Sequence, residues 1–334
     1  AETIVDTIGE KRAIAALAVA TMIICAVGVF IDIAVITVAP IALAIGERAG
    51  LSKSGILLAM IGGGKAGNIV SPNPNTIAVT EAFKLDLTAV MMKNLIPALC
   101  ALIATIVLAS LLAKKAGDGI SQNDLEAAPA EKLPNALQAF AGPLTVIVLL
   151  ALRPLAKISV DPLIALPLGG LVCILVTGNI RNLIPYTDFG LSKVIGVAIL
   201  LIGTGTIAGI IKASALQKDM TALLSAMNMP AFILAPLSGI LMAAATASTT
   251  AGSTVASQTF SGTLLSAGVP ALSAAAMIHA GATVLDSLPH GSFFHATGGS
   301  VYMDIKNRMK LIPFEALIGL TSTIVAVILY LVAA

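Results

Sequence analysis

Apolar segments separated by short polar stretches fill almost the whole sequence. A helix needs about 20 apolar residues to cross a lipid bilayer, and several segments reach that length without interruption. Others carry glycine, proline and polar residues near their middle. The pattern predicts an all-α polytopic membrane protein in which some helices span the bilayer and others break inside it. The predicted uninterrupted spans are 88–113, 136–152, 160–180, 192–212 and 311–333.

The strongest interruption lies inside the predicted broken span 54–83. The stretch from Ile61 to Thr76 holds Lys65 together with several glycines, prolines and asparagines, which a lipid-facing helix would not contain. Backbone is irregular at membrane depth only where protein buries it or where it lines a water-filled cavity. In secondary transporters such breaks mark substrate sites. We therefore predict a helix break and a binding site here.

A different kind of interruption occurs in the apolar segment 13–47. The segment is too long for one crossing and too short for two crossings with a turn, and Asp32 lies near its middle. These features predict a re-entrant hairpin, which enters and leaves the membrane on the same side.

The same order of features occurs twice along the chain. In each half an amphipathic lead precedes a hairpin, a broken span and a plain span, and Leu95–Leu99 resembles Leu311–Glu315. Two related units of hairpin and break indicate an alternating-access transporter. The predicted organisation is a first repeat at 1–113, a linker at 114–135, scaffold helices at 136–212 and a second repeat at 213–334, with its hairpin at 229–266, its broken span at 270–303 and its last span at 311–333.

The charged residues give the repeats a direction. When the predicted hairpins and spans are threaded through the bilayer, most lysines and arginines fall on the side that holds the linker. Positive charge is enriched on the cytoplasmic side of membrane proteins, so this side is assigned to the cytoplasm, and Lys306, Arg308 and Lys310 to its interfacial face. The hairpins then open to opposite sides, which makes the repeats inverted. Because three plain spans precede only the second repeat, we expect a matching set of helices ahead of the first.

Composition supports a membrane protein. Of the 334 residues, 57% are hydrophobic and 11% are charged, and the mean hydropathy is +1.00, whereas soluble domains carry about 25% charged residues. The net charge of +2 gives no indication of a nucleic-acid partner. The histidines and cysteines lack metal-site spacing, so neither a metal nor a cofactor is predicted. We expect a multi-pass protein of the inner (cytoplasmic) membrane.

Each predicted helix break exposes a helix N-terminus with about half a positive charge and free backbone N–H groups. Such a terminus suits a carboxylate, while nearby Ser, Thr and Asn side chains suit substrate hydroxyls or a coupling cation. We predict that the polar residues of the breaks and of the second hairpin form the substrate site. The candidates are Lys65, Ser71, Asn73, Asn75 and Thr76 in the first half and Ser248, Thr249, Thr250, Ser253, His290 and Ser292 in the second.

Ionisable side chains inside the bilayer are costly and are functional candidates by default. Asp32, Lys65 and Asp286 lie deepest in apolar sequence. Burial disfavours the charged form of an aspartate, so Asp32 or Asp286 is a candidate for coupling proton movement to substrate movement. Two alternatives stay open: one aspartate forms a buried ion pair with Lys65, or Lys65 holds the substrate carboxylate.

Four motifs also carry a resemblance. They are Gly9-Glu-Lys-Arg-Ala13, Phe30-Ile-Asp32, Ser71-Pro-Asn-Pro-Asn-Thr-Ile-Ala78 and Asp286-Ser-Leu-Pro-His-Gly-Ser-Phe293. They resemble the gluconate permease (GntP) family of the ion transporter superfamily, over essentially the whole chain and the C-terminal three quarters of a family member. The resemblance implies proton-coupled symport of gluconate-like sugar acids or other small hydroxy acids by an elevator-type transporter. It also implies a homodimer, in which hairpins and broken spans move against a scaffold of plain spans.

Three other functions are alternatives at this point. A sodium-coupled carboxylate carrier differs only in its coupling ion. An intramembrane hydrolase would need paired aspartates or an activated serine, but no GxGD or GxSG motif is present and no histidine is clearly placed to activate Ser253. A channel would use the hairpins to line a fixed pore. The repeated breaks favour the transporter.

Overall fold

The computed structural model describes residues 12–115, 118–121, 124, 135–156, 160–215, 218–219, 222, 226 and 229–333, and nearly all of them lie in α-helices. The chain divides into two compact units, one formed by Ala1–Ala127 with Thr204–Ala334 and the other by Ala128–Gly203. The amphipathic lead predicted at the start of the chain, and most of the predicted linker and second lead, lie outside the described residues.

The helices of the first half of the chain are numbered in order. They are α1 (Ala13–Ala26), α2 (Ile31–Arg48), α3 (Lys53–Asn68), α4 (Pro74–Phe83), α5 (Leu87–Lys93) and α6 (Leu95–Lys115). The next three helices are α7 (Ala136–Ala156), α8 (Pro162–Val176) and α9 (Leu183–Ala213). The last part of the chain contains α10 (Leu234–Thr246), α11 (Thr249–Ser266), α12 (Ala271–Ala282), α13 (Ser292–Gly299), α14 (Ile305–Met309) and α15 (Ile312–Ala333).

Several helices of the larger unit are too short to cross a bilayer. Helix α1 has 14 residues, α10 has 13 and α12 has 12. At 1.5 Å per residue these are about 18–21 Å long, against a hydrocarbon core of about 30 Å. Among the described helices, Leu95–Lys114 and Ile305–Ala333 are long and apolar enough to cross a membrane. The short helices end where the sequence predicts interruptions, and the re-entrant course of the hairpins stays a prediction.

Glycines let the backbones of α1 and α3 touch. A Cβ atom placed on Gly63 would lie 2.1 Å from the carbonyl oxygen of Ala18, and one on Gly67 would lie 2.3 Å from that of Met22. A glycine permits the same close contact in the second half, because a Cβ on Gly281 of α12 would lie 2.5 Å from the carbonyl oxygen of Pro236 on α10. Small residues permit this approach of helix backbones in membrane proteins.

Helix pairings recur in the same order in the two halves of the larger unit. Helix α3 packs against α1, α2 and α6, and α12 packs against α10, α11 and α15. Across the halves, α4 packs on α11 and α12, while α13 packs on α2 and α3. Each short helix that follows a break thus lies against the hairpin of the other half. This recurrence supports the prediction of two related repeats, whose inverted orientation remains a prediction.

The first residues after α6 hold the N-terminus of α3. The Asp118 carboxylate accepts hydrogen bonds from the Ser54 backbone N–H at 2.9 Å and its hydroxyl at 2.6 Å, and Lys53 Nζ lies 2.7 Å from Asp124. The hydrogen bond from Lys53 lowers the pKa of Asp124 from 3.8 to about 2. The lowered pKa means that ionised Asp124 stabilises the folded state. This stabilisation is complete above the unfolded pKa of Asp124 and is lost as the pH falls through about 2.

The smaller unit contains α7, α8 and the first part of α9. Helices α7 and α8 pack closely, because a Cβ on Gly142 would lie 2.8 Å from the carbonyl oxygen of Gly169. Large apolar side chains such as Leu163, Ile184 and Ile195 remain exposed on this unit. An apolar exterior is typical of helices that face lipid or a partner subunit.

Two details differ from the sequence predictions. The predicted uninterrupted span at 88–113 is divided at Asn94 into α5 and α6, whereas the predicted span at 192–212 lies within α9. Arg308 was predicted at the interface but is buried and forms an ion pair with Glu315. Its charged neighbours suggested an exposed run, whereas the short helix α14 turns Arg308 inward toward a partner seven residues later in the chain.

Candidate substrate site

The first break lies between α3 and α4. The Asn73 side-chain oxygen accepts hydrogen bonds from the Thr76 backbone N–H at 3.0 Å and the Thr76 hydroxyl at 3.2 Å. Asn73 is thus the N-cap of α4, and Pro74 occupies the first helical position, where no N–H is needed. The predicted residues Asn73 and Thr76 therefore fix the start of the helix.

Asn68, the last residue of α3, connects the two sides of this break. Its side-chain oxygen accepts hydrogen bonds from the side-chain amides of Asn73 at 2.5 Å and Asn75 at 3.1 Å, and its backbone carbonyl accepts a second bond from Asn73 at 2.8 Å. The sequence analysis did not single out Asn68, although it lies inside the anomalous stretch and one helical turn beyond Lys65.

Asn75 extends this network to the second half of the chain. Its side-chain oxygen accepts a hydrogen bond of 2.5 Å from the hydroxyl of Thr250, in the first turn of α11. Ser248 caps that helix by accepting a bond of 3.3 Å from the Ala251 backbone N–H, after a left-handed turn at Ala247 with φ of 45°. The N-termini of α4 and α11 therefore meet.

Lys65 and Asp286 form a buried ion pair. Lys65 Nζ lies 2.6 Å from Asp286 Oδ1 and also donates to the carbonyl oxygens of Thr283 at 2.7 Å and Glu315 at 3.4 Å. Asp286 accepts further bonds from the hydroxyl of Thr249 at 2.6 Å and from that of Ser287 at 2.9 Å. Of the alternatives open for Lys65, this geometry is that of the ion pair.

The asparagine network of the first break and the Lys65–Asp286 ion pair both contact the turn between α10 and α11. Thr249 contacts Asp286, and the adjacent Thr250 contacts Asn75. The second break lies against the same turn, because a Cβ on Gly291 would lie 2.6 Å from the carbonyl oxygen of Ala247. Residues from both breaks and the second hairpin are therefore joined by direct hydrogen bonds or contacts.

Other predicted residues lie at the margin of this arrangement. Ser253 is buried and its hydroxyl donates to the Thr250 carbonyl at 3.3 Å. His290 and Ser292 are exposed, and Ser292 begins α13. Asp32 is half-buried in the first turn of α2, where its carboxylate accepts the Ile33 backbone N–H at 2.9 Å. No cationic side chain of the described ranges forms an ion pair with Asp32.

Three buried polar atoms near the breaks lack a hydrogen-bond partner within the part of the chain that the structure describes. They are Asn68 Nδ2, Ser71 Oγ and Thr254 Oγ1. Burying such a group unsatisfied costs about 1–3 kcal/mol. Thr254 follows Thr250 by one turn of α11, so it lies on the same face as the contact to Asn75. These atoms are free to bind a polar ligand.

Helices that stop inside an apolar protein, at buried polar side chains drawn from both halves of the chain, are typical of secondary membrane transporters. A sequence model described as GntP family permease matches residues 1–333. This chain belongs to the GntP permease family. It is also 58% identical over 329 residues to an uncharacterized transporter of Haemophilus influenzae (strain ATCC 51907 / DSM 11121 / KW20 / Rd). The matched region covers 98% of this chain and 78% of that protein.

The family membership confirms the resemblance that the four motifs carry. It also indicates a transporter rather than an enzyme, so the intramembrane hydrolase is set aside. A permease of this family is a multi-pass membrane protein. The substrate, the coupling ion and the roles of single residues are not fixed by family membership.

Proposed function

We propose that this permease carries a small hydroxy-carboxylate, such as a gluconate-like sugar acid, by symport with protons. The observation that carries the proposal is the hydrogen bond between Asn75 and Thr250, which brings two helix N-termini together beside unsatisfied buried polar atoms. Each terminus contributes about half a positive charge. A carboxylate bound between them gains from both, without a positively charged side chain.

The hydroxyl groups of the substrate have their own partners in this proposal. Asn68 Nδ2 is a donor, while the hydroxyls of Ser71 and Thr254 both donate and accept, and all three are buried without a described partner. Asn75 and Thr250 bind the substrate beside them. Asn73 and Ser248 act as positioning residues, because their side chains cap the helices on which the binding residues lie. Thr76 supports them, because its N–H and hydroxyl both donate to Asn73.

Asp32 is the better candidate for the coupling proton. Asp286 is already engaged by a lysine partner and two hydroxyl donors. Asp32 accepts only its own helix backbone among the hydrogen bonds of the described residues and has no ion-pair partner there. A carboxyl group without a cation partner takes up a proton with less loss of interaction energy. A sodium-coupled carrier is the alternative that the coupling test decides.

An elevator-type motion in a homodimer of the inner membrane completes the proposal. The larger unit contains the hairpins and breaks, whereas the smaller unit contains none of the binding candidates. The exposed apolar side chains of the smaller unit support a role as scaffold in lipid or against a second copy.

Uptake into proteoliposomes tests the proposed function. We expect saturable uptake of one or more small hydroxy acids that follows an imposed proton gradient and is unchanged by a sodium gradient. Asn75→Ala and Thr250→Val should each raise the KM about tenfold, which is the loss of about 1.4 kcal/mol expected for a hydrogen bond that positions the site. Asp32→Asn should abolish proton-driven uptake while substrate exchange persists.

Thr321→Val is the matched control for Thr250→Val. Thr321 is half-buried, and its hydroxyl donates to the Leu317 carbonyl of its own helix at 2.8 Å. Its KM should equal that of the unmodified protein. Uptake driven by a sodium gradient alone would show that sodium, not the proton, is the coupling ion. An unchanged KM in both Asn75→Ala and Thr250→Val would show that the substrate does not bind at this site.

A further inference from the structure

We propose that the ammonium group of Lys65 is a built-in cation, which occupies a monovalent-cation site and makes this permease independent of sodium at that position. Its three donors are directed at three oxygens: Asp286 Oδ1 at 2.6 Å and the carbonyls of Thr283 at 2.7 Å and Glu315 at 3.4 Å. An ordinary lysine–aspartate pair needs only the carboxylate. Here two of the three acceptors are backbone carbonyls.

The acceptors form the kind of oxygen cage that hard cations occupy. Carboxylates and backbone carbonyls are the protein ligands of such ions. Thr283 is the C-cap of α12, so its carbonyl lies at the negative end of a helix. The hydroxyls of Thr249 and Ser287 also donate to Asp286 and hold its carboxylate in place. The site would attract a cation whether or not a lysine were present.

Lys65 reaches this cage from a different helix. It lies near the end of α3, whereas its acceptors belong to the end of α12, the second break and the first turn of α15. Lys65 and Asp286 are almost fully buried, so removing the ammonium would leave the Asp286 carboxylate buried without a counter-charge, which is strongly unfavourable. A small side chain at this position would leave room for a sodium ion, whereas a long apolar one would fill the space.

The inference goes beyond the proposed substrate and coupling proton, and its test needs no substrate. Thermal unfolding of the purified protein in detergent is measured against sodium chloride, with choline chloride at equal ionic strength. The unmodified protein should respond equally to the two salts. Lys65→Ala and Lys65→Ser should unfold at lower temperature in choline, and sodium should raise their Tm saturably, by about 3 °C or more at tenfold excess over the Kd.

Three matched variants isolate the cation site. Lys65→Met removes the charge but fills the space, so it should be destabilised without a sodium response. The double variant Lys65→Ala/Asp286→Asn removes the anionic ligand and should lose the response of Lys65→Ala. Lys53→Ala removes another ion-paired lysine, outside this site, and should respond to sodium as the unmodified protein does.

Several results would overturn the proposal. A sodium-specific stabilisation of the unmodified protein that disappears in Asp286→Asn would show that an inorganic cation already uses this carboxylate. If Lys65→Ala folds and its Tm does not respond to sodium, the oxygen cage binds no cation. Failure of both Lys65→Ala and Lys65→Ser to fold in sodium as well as in choline would also contradict it, because a filled site is expected to restore folding. None of these results depends on whether hydroxy acids are transported.

Discussion

Replacing Arg308 with methionine is expected to destabilise the protein by about 3–5 kcal/mol, because it leaves the buried carboxylate of Glu315 without its partner. Arg308 and Glu315 are almost fully buried. The Arg308 guanidinium also donates to the Phe294 carbonyl at 3.3 Å and the Thr297 hydroxyl at 3.2 Å, and lies 4.8 Å from the centre of the Phe294 ring. This one side chain therefore ties α13, α14 and α15 together.

A double-mutant cycle measures the pair. Arg308→Met and Glu315→Gln should each lower the Tm by roughly 6–10 °C in thermal unfolding. The double variant should lose less than the sum of the two, because replacing both charges removes the buried ion as well as its partner. Lys310→Met is the control, since Lys310 lies on the same stretch but bonds the exposed side chain of Asn307. Single variants as stable as the control would contradict a structural role for the pair.

The breaks could be predicted from sequence because their signal is local. Glycine, proline and asparagine inside an apolar segment disfavour a continuous helix. The starts of α4 and α11 follow from the N-caps Asn73 and Ser248, which are residue types that favour this position. The same reasoning found Lys65 and Asp286 as costly buried charges. Family membership confirms the class of protein that these features predicted.

Partnerships between distant residues could not be read from the chain. An ion pair of Lys65 with Asp32 or Asp286 was one open alternative, because nothing local decides whether each residue binds a substrate, a proton or the other. Thr283 and Glu315 contribute backbone carbonyls to Lys65, and a backbone group carries no side-chain signal. Arg308 was misplaced for a related reason: Lys306 and Lys310 beside it give an interfacial pattern, and only the turn of α14 directs it inward.

The two halves meet through residues that are far apart in sequence but equivalent in place. Each break lies beside the hairpin of the other half, as α4 does with α11 and α13 with α2. A substrate at the proposed site would contact both halves at once. Movement of one hairpin would then alter the site without breaking the helices that form it, which is the behaviour that alternating access requires.

Replacing Gly63 with alanine is expected to prevent correct packing of the first hairpin. The new Cβ would lie 2.1 Å from the Ala18 carbonyl oxygen, 2.8 Å from its carbonyl carbon and 2.9 Å from its Cα. These are backbone atoms of a buried residue, so no flexible side chain can move aside. Overpacking of a rigid contact costs more than about 3 kcal/mol when the backbone must move. We expect little monodisperse protein in size-exclusion chromatography and a Tm at least 6 °C below that of the unmodified protein, at about 2 °C per kcal/mol.

The equivalent glycine of the second half should behave in the same way. Gly281→Ala places a Cβ 2.5 Å from the Pro236 carbonyl oxygen, so its loss of stability should approach that of Gly63→Ala. Gly190→Ala is the control, because a Cβ there meets no atom within 4 Å and alanine favours a helix over glycine by about 1 kcal/mol. Equal stability of Gly63→Ala and Gly190→Ala would show that α1 and α3 do not pack backbone to backbone. A large effect at Gly63 with none at Gly281 would instead argue that the two hairpins are held by different contacts, against a common origin for the two halves.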